Sequence, residues 1–292
     1  MSKVVLVTGA NGNLGGKLVN YLTTVSWCEK VVAVCYGGEL SLVDAVKDRA
    51  SIRSINLAIA TKSELLDLME GVDAVVHLAA QHPYPTATWL DATVSFDISL
   101  KILDAAEANN VSRLVFASSN HVMGGYKELY DDMKSGELTV DLMPLPGTVT
   151  KAPDGSISSS IAYATAKLTG ERVYLQRANA AGGRLSTVSL RIGWCQAGAN
   201  LASSISATGL SDTAVDMSDP VVASAQRWFK GMWLSNRDFL QLMQCSLLSD
   251  AGDWPSPGII ANGMSANSGM VWDIETTKLL LRYSPKDDAG RS

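Results

Sequence analysis

The sequence has few of the side chains from which metal sites and disulfide frameworks are built. Its 292 residues include three histidines and four cysteines, and the cysteines are scattered without a C-x-x-C motif. We therefore expect neither a metal ion nor a disulfide scaffold. Unpaired thiols are typical of proteins kept in a reducing compartment, so we expect a cytoplasmic location.

Charged residues are also sparse, and they form no basic run. They make up 18% of the chain and leave a net charge of −5, so nucleic acid is not expected as a partner. No stretch of 18 consecutive apolar residues occurs, and the N-terminus lacks a signal-peptide profile, so no membrane association is expected. With 47% hydrophobic residues, the chain can form one large α/β domain, alone or with a small appendage.

The beginning of the chain, KVVLVTGANGNLGGKLVNYL, indicates a nucleotide-binding loop. Residues 4–7 form an apolar run that predicts a buried strand, and a helix is expected from about Asn13. Between them, Gly9, Gly12 and Gly15 follow the spacing G-x-x-G-x-x-G. Glycines at these positions let the backbone approach a pyrophosphate, which the positive end of the following helix attracts. The alternative is a tight strand-to-helix turn that binds nothing.

Strands and helices alternate along the rest of the chain, which predicts an α/β protein with a doubly wound parallel sheet of the Rossmann type. A β-branched run near Thr93 is expected to interrupt the long helix at 87–109. Further strands are expected at 31–35, 51–57, 73–80, 113–119 and 186–193, and further helices at 61–70 and from about 160 to 181.

The chain is expected to divide into two interleaved parts. Residues 1–195 form the predicted dinucleotide-binding domain, and residues 196–292 form a smaller C-terminal portion that binds substrate. Two stretches, 130–160 and 196–225, are rich in Gly, Ser, Asp and Pro and show little periodicity. We expect both to form loops or lids.

The stretch SIAYATAKLTGE places Tyr163 and Lys167 four residues apart in a predicted helix. Residues at this spacing share one face of a helix, so the phenol and the ammonium can reach the same cavity. An ammonium beside a phenol lowers the phenol pKa from about 10 toward the range of a general base. The alternative is a tyrosine and a lysine on a solvated helix face.

Polar residues follow the strand at 113–119, in the sequence FASSNH. In a doubly wound sheet the carboxyl ends of the strands carry the ligands, so Ser118, Ser119, Asn120 and His121 should lie near the glycine loop. A hydroxyl there can position a substrate oxygen while a phenolate removes its proton. The alternative is ordinary turn chemistry after a strand.

Taken in order, TGANGNLG, HLAA, SS and Y-x-x-x-K resemble the extended short-chain dehydrogenase/reductase family over roughly residues 3–195. More narrowly, FASSNH, SLRIG, WLSNRDFLQLMQCSL, ANGMSANSGMVWD and RYSPKDD resemble its uronate (sugar) dehydrogenase branch. The resemblance implies an NAD(P)-dependent oxidoreductase that converts the anomeric hydroxyl of a sugar or sugar acid to a lactone by hydride transfer. It implies a small anionic or neutral sugar as substrate, and we expect a homo-oligomer.

The resemblance also implies roles for individual residues. Ser119, Tyr163 and Lys167 correspond to the catalytic residues. The implied substrate contacts are His82, Ser119, Asn120, His121 and Arg191, of which Arg191 would hold a uronate carboxylate through its guanidinium fork. For Arg191 the alternative is an ion pair within the fold. The implied cofactor contacts are Gly9, Asn11, Gly12, Asn13, Leu14, Gly15, Tyr36, Asn56, Leu57, Leu78, Ala79, Ala80 and Lys167.

The sequence departs from the family pattern where the substrate and the cofactor ribose would bind. Forty-three residues separate Ser119 from Tyr163, more than the resemblance implies, and a second surplus spans 197–228. The second strand ends without the acidic residue that usually contacts the ribose 2′-hydroxyl of NAD. Glu39 and Arg53 are candidates for reading that position. We expect NAD as cofactor, with NADP possible.

Two other functions fit the same motifs. A nucleotide-sugar epimerase or dehydratase would use the tyrosine with a tightly held NAD, but it would need a larger substrate domain. A dinucleotide-sensing protein without turnover would share the fold, but it would have no use for Ser119, Tyr163 and Lys167 together.

Overall fold

Nine strands lie within residues 2–40, 48–81, 87–151, 155–206 and 218–290, the parts of the chain that this computed structural model describes. They are β1 Lys3–Thr8, β2 Cys28–Cys35, β3 Ala50–Ser54, β4 Ala74–His77, β5 Arg113–Ser119, β6 Val149–Lys151, β7 Ile157–Ser159, β8 Ser186–Ile192 and β9 Gly258–Gly263. Seven form a parallel sheet in the order β3-β2-β1-β4-β5-β8-β9, and β6 pairs with β7 in an antiparallel hairpin. The predicted doubly wound parallel sheet is confirmed.

Helices cover both faces of the sheet. They are α1 Asn13–Leu22, α2 Lys62–Leu68, α3 Trp89–Ala108, α4 Ile161–Ala180, α5 Pro220–Gly231, α6 Asn236–Leu248 and α7 Glu275–Leu281, with 3-10 turns over Asn120–Asp132, Ala202–Ser204 and Ala251–Asp253. The cap predicted for α2 forms, because Thr61 and Glu64 exchange hydrogen bonds in a capping box. The interruption expected near Thr93 is wrong. The Thr93 hydroxyl bonds to the carbonyl of Trp89 in its own helix, and α3 continues unbroken.

Two apolar layers hold the sheet between the helices. On one face, α1 and α6 pack against the strands through residues such as Leu18 and Phe239. On the other face, α2, α3 and α4 contribute Leu65, Ile102 and Tyr174. Because both faces are covered, the central strands β4 and β5 are buried along their whole length.

The chain after residue 195 contributes to the sheet and also builds a cluster of its own. Strand β9 is the seventh strand, and Arg113 at the start of β5 anchors α6 by donating to the carbonyls of Ser246 and Ser249. A separate cluster forms around Trp228 and Trp272. The two parts of the chain are therefore interleaved, and the boundary at residue 195 stays a prediction.

The two stretches expected to be loops contain regular structure. The hairpin β6–β7 lies within 130–160, and α5 begins within 196–225. Asp219 caps α5 through its carboxylate, and Pro220 occupies the first turn, where a missing N–H has no cost. Within the described ranges, no helix is long and apolar enough to cross a membrane.

Candidate active site

The glycine loop after β1 closes so tightly that two of its positions admit no side chain. Gly9 has φ +66°, and a Cβ there would lie 3.0 Å from the backbone nitrogen of Ala79. A Cβ at Gly15 would lie 2.0 Å from the carbonyl oxygen of Gly9. The predicted glycine spacing is therefore explained by two close contacts of the loop: Gly9 with the residues that follow β4, and Gly9 with Gly15 in the first turn of α1.

The N-terminus of α1 is available to an anion. Gly12 precedes the helix and provides no side-chain cap, and the first turn contains no acidic residue. The backbone N–H groups and the positive end of the helix dipole are therefore unopposed by any local carboxylate. This arrangement fits a dinucleotide pyrophosphate, as the glycine spacing predicts.

A cleft of about 520 Å³ runs from the glycine loop along the carboxyl ends of the strands. Two asparagine side chains fix its edges: Asn11 donates to the carbonyl of Gly37, and Asn13 donates to the carbonyl of Gln196. All thirteen residues that the family resemblance assigns to the cofactor line this cleft: Gly9, Asn11, Gly12, Asn13, Leu14, Gly15, Tyr36, Asn56, Leu57, Leu78, Ala79, Ala80 and Lys167. Their contacts with a cofactor stay predictions.

A buried chain of hydrogen bonds shapes one wall of the cleft. The Thr8 hydroxyl accepts from the backbone N–H groups of Leu78 and Ala79, both at 3.1 Å, so its own proton points to Nδ1 of His77, 2.8 Å away. His77 then carries its proton on Nε2, 3.2 Å from the Ser99 hydroxyl. Burial lowers the His77 pKa to about 3, so the imidazole is a neutral structural link.

The three predicted catalytic residues line the same cleft. Ser119 ends β5, while Tyr163 and Lys167 lie one turn apart on α4. Burial raises the pKa of Tyr163 to about 12, and a hydrogen bond with the Ser119 hydroxyl lowers it in part. The sequence reasoning predicted a lowered Tyr163 pKa. That direction is wrong, because desolvation of the phenolate outweighs the hydrogen bond with Ser119.

Lys167 is buried with its ammonium above aromatic rings. Its Nζ lies 4.9 Å from the ring centroid of Phe116 and 5.6 Å from that of Tyr163. Burial lowers the Lys167 pKa to about 8, so the side chain is still mainly cationic at neutral pH. Tyr163 and Lys167 are therefore close together, as their spacing predicted, and both side chains are largely shielded from solvent.

Asn120 and His121 also line the cleft beside Ser119. Asn120 donates to the carbonyl of Ile192 at 2.9 Å, and its Oδ1 is buried without a protein partner among the described residues. Burial lowers the His121 pKa to about 3, which keeps the ring neutral. His82, the remaining predicted residue of this group, lies outside the described residues. The substrate contacts of these residues stay predictions.

Arg191 does not line the cleft, in contrast to the substrate contact expected for it. Its side chain is fully buried, and Nε and Nη2 donate to the two carboxylate oxygens of Glu171, each at 3.0 Å. The Ser118 hydroxyl donates to the same carboxylate at 2.5 Å. The alternative noted from the sequence, an arginine paired within the fold, is the one that the structure contains. Its cause is the position of Glu171, which places a carboxylate directly over β8.

Several residues of the site were missed in the sequence. Trp194 and Gln81 line the cleft, and Thr148 bonds to His121. Glu171 could have been found, because it follows Lys167 by four residues on the same helix. Thr148 gives no such signal, because it lies in the surplus segment between Ser119 and Tyr163.

Comparison with known proteins agrees with this fold. Residues 5–194 match the NAD dependent epimerase/dehydratase family. An L-arabinose 1-dehydrogenase (NAD(P)(+)) of Haloferax volcanii is 28% identical over 98% of this chain and 97% of its own. A uronate dehydrogenase of Pseudomonas syringae pv. tomato is 26% identical over 98% of this chain and 82% of its own. The solved glucuronic acid dehydrogenase from Chromohalobacter salexigens has the same fold, with a TM-score of 0.69 at 22% identity over 99% of this chain and 86% of that chain.

The buried Lys167 predicts a specific dependence of stability on pH. Its pKa is about 8 in the folded protein and 10.5 in a solvated chain. Between these values the folded protein has lost a proton that the unfolded chain still binds, so stability rises with pH. Relative to Lys167→Met, the wild-type free energy of unfolding should rise by about 2 kcal/mol between pH 8 and 10.

Urea denaturation at several pH values measures this difference. The control is Lys62→Met, because Lys62 is exposed and its substitution should leave the pH dependence unchanged. If the unfolding free energies of wild type and Lys167→Met changed with pH in parallel, the lowered pKa of a buried Lys167 would be contradicted.

Proposed function

Since this chain belongs to the NAD dependent epimerase/dehydratase family, we propose that it is an NAD(P)-dependent oxidoreductase that oxidises the anomeric hydroxyl of a sugar to a lactone. The observation that carries this function is the convergence of Ser119, Tyr163 and Lys167 on the cleft that the glycine loop opens. The arabinose and uronate dehydrogenases among its relatives act on substrates of this class.

The cofactor site consists of the glycine loop, the N-terminus of α1 and the wall held by His77. When bound there, the nicotinamide accepts the hydride that the sugar carbon releases. The chain's own part would be to bind and orient: Gly9, Gly12 and Gly15 leave room for the pyrophosphate, and Lys167 would bond a ribose hydroxyl. We propose NAD as the preferred dinucleotide because the chain resembles NAD-dependent sugar dehydrogenases. NADP is proposed as a second one because Cys35 and Tyr36, at the end of β2, supply no carboxylate that would repel a 2′-phosphate.

Tyr163 is the proposed base. It removes the proton of the anomeric hydroxyl, while the Ser119 hydroxyl holds that oxygen. The hydrogen on the anomeric carbon then leaves with both electrons of its bond, as hydride. Burial raises the Tyr163 pKa to about 12, so the phenolate requires a positive charge close by. The same desolvation strengthens that charge interaction, and Lys167 is the cation that this chain supplies.

Among sugars, the structure favours an uncharged one. The Nε–Nη2 edge of the Arg191 guanidinium is bonded to the Glu171 carboxylate, and neither side chain is accessible to solvent. Nη1 is buried without a partner among the described residues, and Arg191 does not line the cleft. A substrate carboxylate that took the Nε–Nη2 edge would have to displace Glu171 and leave it buried without its cation, at a cost of several kcal/mol. We therefore propose a neutral aldose as the preferred substrate.

The location and assembly of the protein belong to the same proposal. All four cysteines are free, in keeping with a reducing compartment such as the cytoplasm. A homo-oligomer stays a prediction from the sequence.

Replacement of the proposed base tests the function directly. Tyr163→Phe removes one oxygen and should lower turnover about 10²- to 10⁴-fold, while dinucleotide affinity stays near the wild-type value. The measurement is absorbance of the reduced dinucleotide in the presence of NAD or NADP and a panel of aldoses and uronates. Tyr126→Phe is the matched control, because Tyr126 does not line the cleft.

The same assay separates the competing functions. Isomerised sugar without reduced dinucleotide would support an epimerase, and dinucleotide binding without turnover would support a sensing protein. More than about a tenth of wild-type turnover in Tyr163→Phe would show that the base is a different group.

Arg191→Met tests the assignment of the arginine to the fold. The variant leaves Glu171 buried without its partner and should lose about 3–5 kcal/mol of unfolding free energy. Turnover of an aldose and of the corresponding uronate should fall by similar factors, measured at a temperature where the variant is still folded. The pair variant Arg191→Met with Glu171→Leu should regain much of the stability. A selective loss of activity on the uronate would show instead that Arg191 binds the substrate anion.

A further inference from the structure

A threonine from the surplus segment touches the proposed active site. Thr148 is fully buried, and its hydroxyl oxygen lies 2.8 Å from Nδ1 of His121. We infer that Thr148 is a positioning residue: its hydroxyl orients the His121 imidazole beside Tyr163 and fixes which ring nitrogen carries the proton. This role rests on the proposed function, since His121 matters as a wall of the sugar site.

Two glycines allow the segment to reach His121. A Cβ at Gly124 would lie 2.3 Å from the Thr148 hydroxyl oxygen and 2.5 Å from the Thr148 nitrogen. Gly147 has φ +103°, and its N–H donates to the carbonyl of His121 at 2.9 Å. A side chain at residue 124 would occupy the space that the Thr148 backbone and hydroxyl fill. Glycines in both segments, Gly124 after His121 and Gly147 before Thr148, are therefore needed for Thr148 to approach His121.

The backbone of Thr148 is tied to the helix that carries the base. Its N–H donates to the Ser160 hydroxyl at 2.8 Å, and its carbonyl accepts from the Ser160 N–H at 3.1 Å. Ser160 is the residue immediately before α4, whose first turn contains Tyr163. Thr148 therefore joins the His121 segment and the Tyr163 helix at one point.

The orientation of His121 bears on both reacting groups. Its ring packs edge-on against Tyr163, with centroids 6.0 Å apart and planes at 79°. Its backbone N–H donates to the Ser119 hydroxyl oxygen at 3.2 Å, which directs the serine proton elsewhere in the site. A rotated imidazole would alter the wall next to the oxygen that Ser119 and Tyr163 hold.

The hydrogen bond also selects a tautomer. Burial keeps the imidazole neutral, so one nitrogen carries a proton and the other is an acceptor. Nδ1 lies 2.8 Å from the Thr148 hydroxyl oxygen. In the inferred arrangement the hydroxyl donates to Nδ1, which puts the ring proton on Nε2.

Two substitutions at residue 148 test this role. Thr148→Val keeps the shape and removes the hydroxyl, whereas Thr148→Ser keeps the hydroxyl and removes a methyl group. In the full-length enzyme, Thr148→Val should lower kcat/KM for the sugar about 10- to 100-fold and leave the dinucleotide Kd unchanged. Thr148→Ser should stay within about threefold of wild type. Wild-type kcat/KM in Thr148→Val, or an equal loss in both variants, would overturn the role.

A spectroscopic measurement keeps the test independent of activity. In ¹⁵N-histidine-labelled protein, the side-chain nitrogen shifts distinguish a protonated Nδ1 from a protonated Nε2, and His121→Asn identifies the signal among the three histidines. We expect a single Nε2–H tautomer in wild type and in Thr148→Ser, and a mixture in Thr148→Val. An Nδ1–H signal in wild type would overturn the inference. Absence of sugar oxidation by wild type would refute the proposed function and leave this measurement valid.

Discussion

The carboxylate of Glu171 is the point on which the geometry of the site depends. It accepts from the Ser118 hydroxyl at the end of β5 and from Nε and Nη2 of Arg191 on β8, and all three side chains are buried. Glu171 lies one turn beyond Lys167 and two turns beyond Tyr163 on α4. A single carboxylate therefore sets both the distance and the rotation of this helix relative to the strands that present Ser119.

Burial then determines the chemistry of the groups placed in this way. It raises the Tyr163 pKa and lowers that of Lys167, and it keeps both His77 and His121 neutral. The same low dielectric that opposes ionisation makes any charge brought into the cleft act strongly. We therefore expect the positive charge of an oxidised nicotinamide ring in the cleft to favour ionisation of Tyr163.

Local patterns in the sequence were enough to predict the glycine loop, the alternation of strands and helices, and the shared face of Tyr163 and Lys167, because each depends on residues close in the chain. The role of Arg191 could not be predicted, since a strand-end arginine looks the same whether it meets a substrate or Glu171 twenty residues earlier. Thr148 was hidden for a related reason. Its contact with His121 depends on how a long insertion folds back onto the site, and the periodicity of the sequence does not predict such a fold.

The central claim is that the chain moves a hydride from the anomeric carbon of a sugar to its dinucleotide. Turnover of an aldose deuterated at C1, followed by mass spectrometry of both products, tests it most directly. We expect one deuterium in each molecule of reduced dinucleotide, a lactone without the label and a slower rate with the deuterated sugar when chemistry limits turnover. Unlabelled reduced dinucleotide, or deuterium retained in an isomerised sugar, would contradict the account.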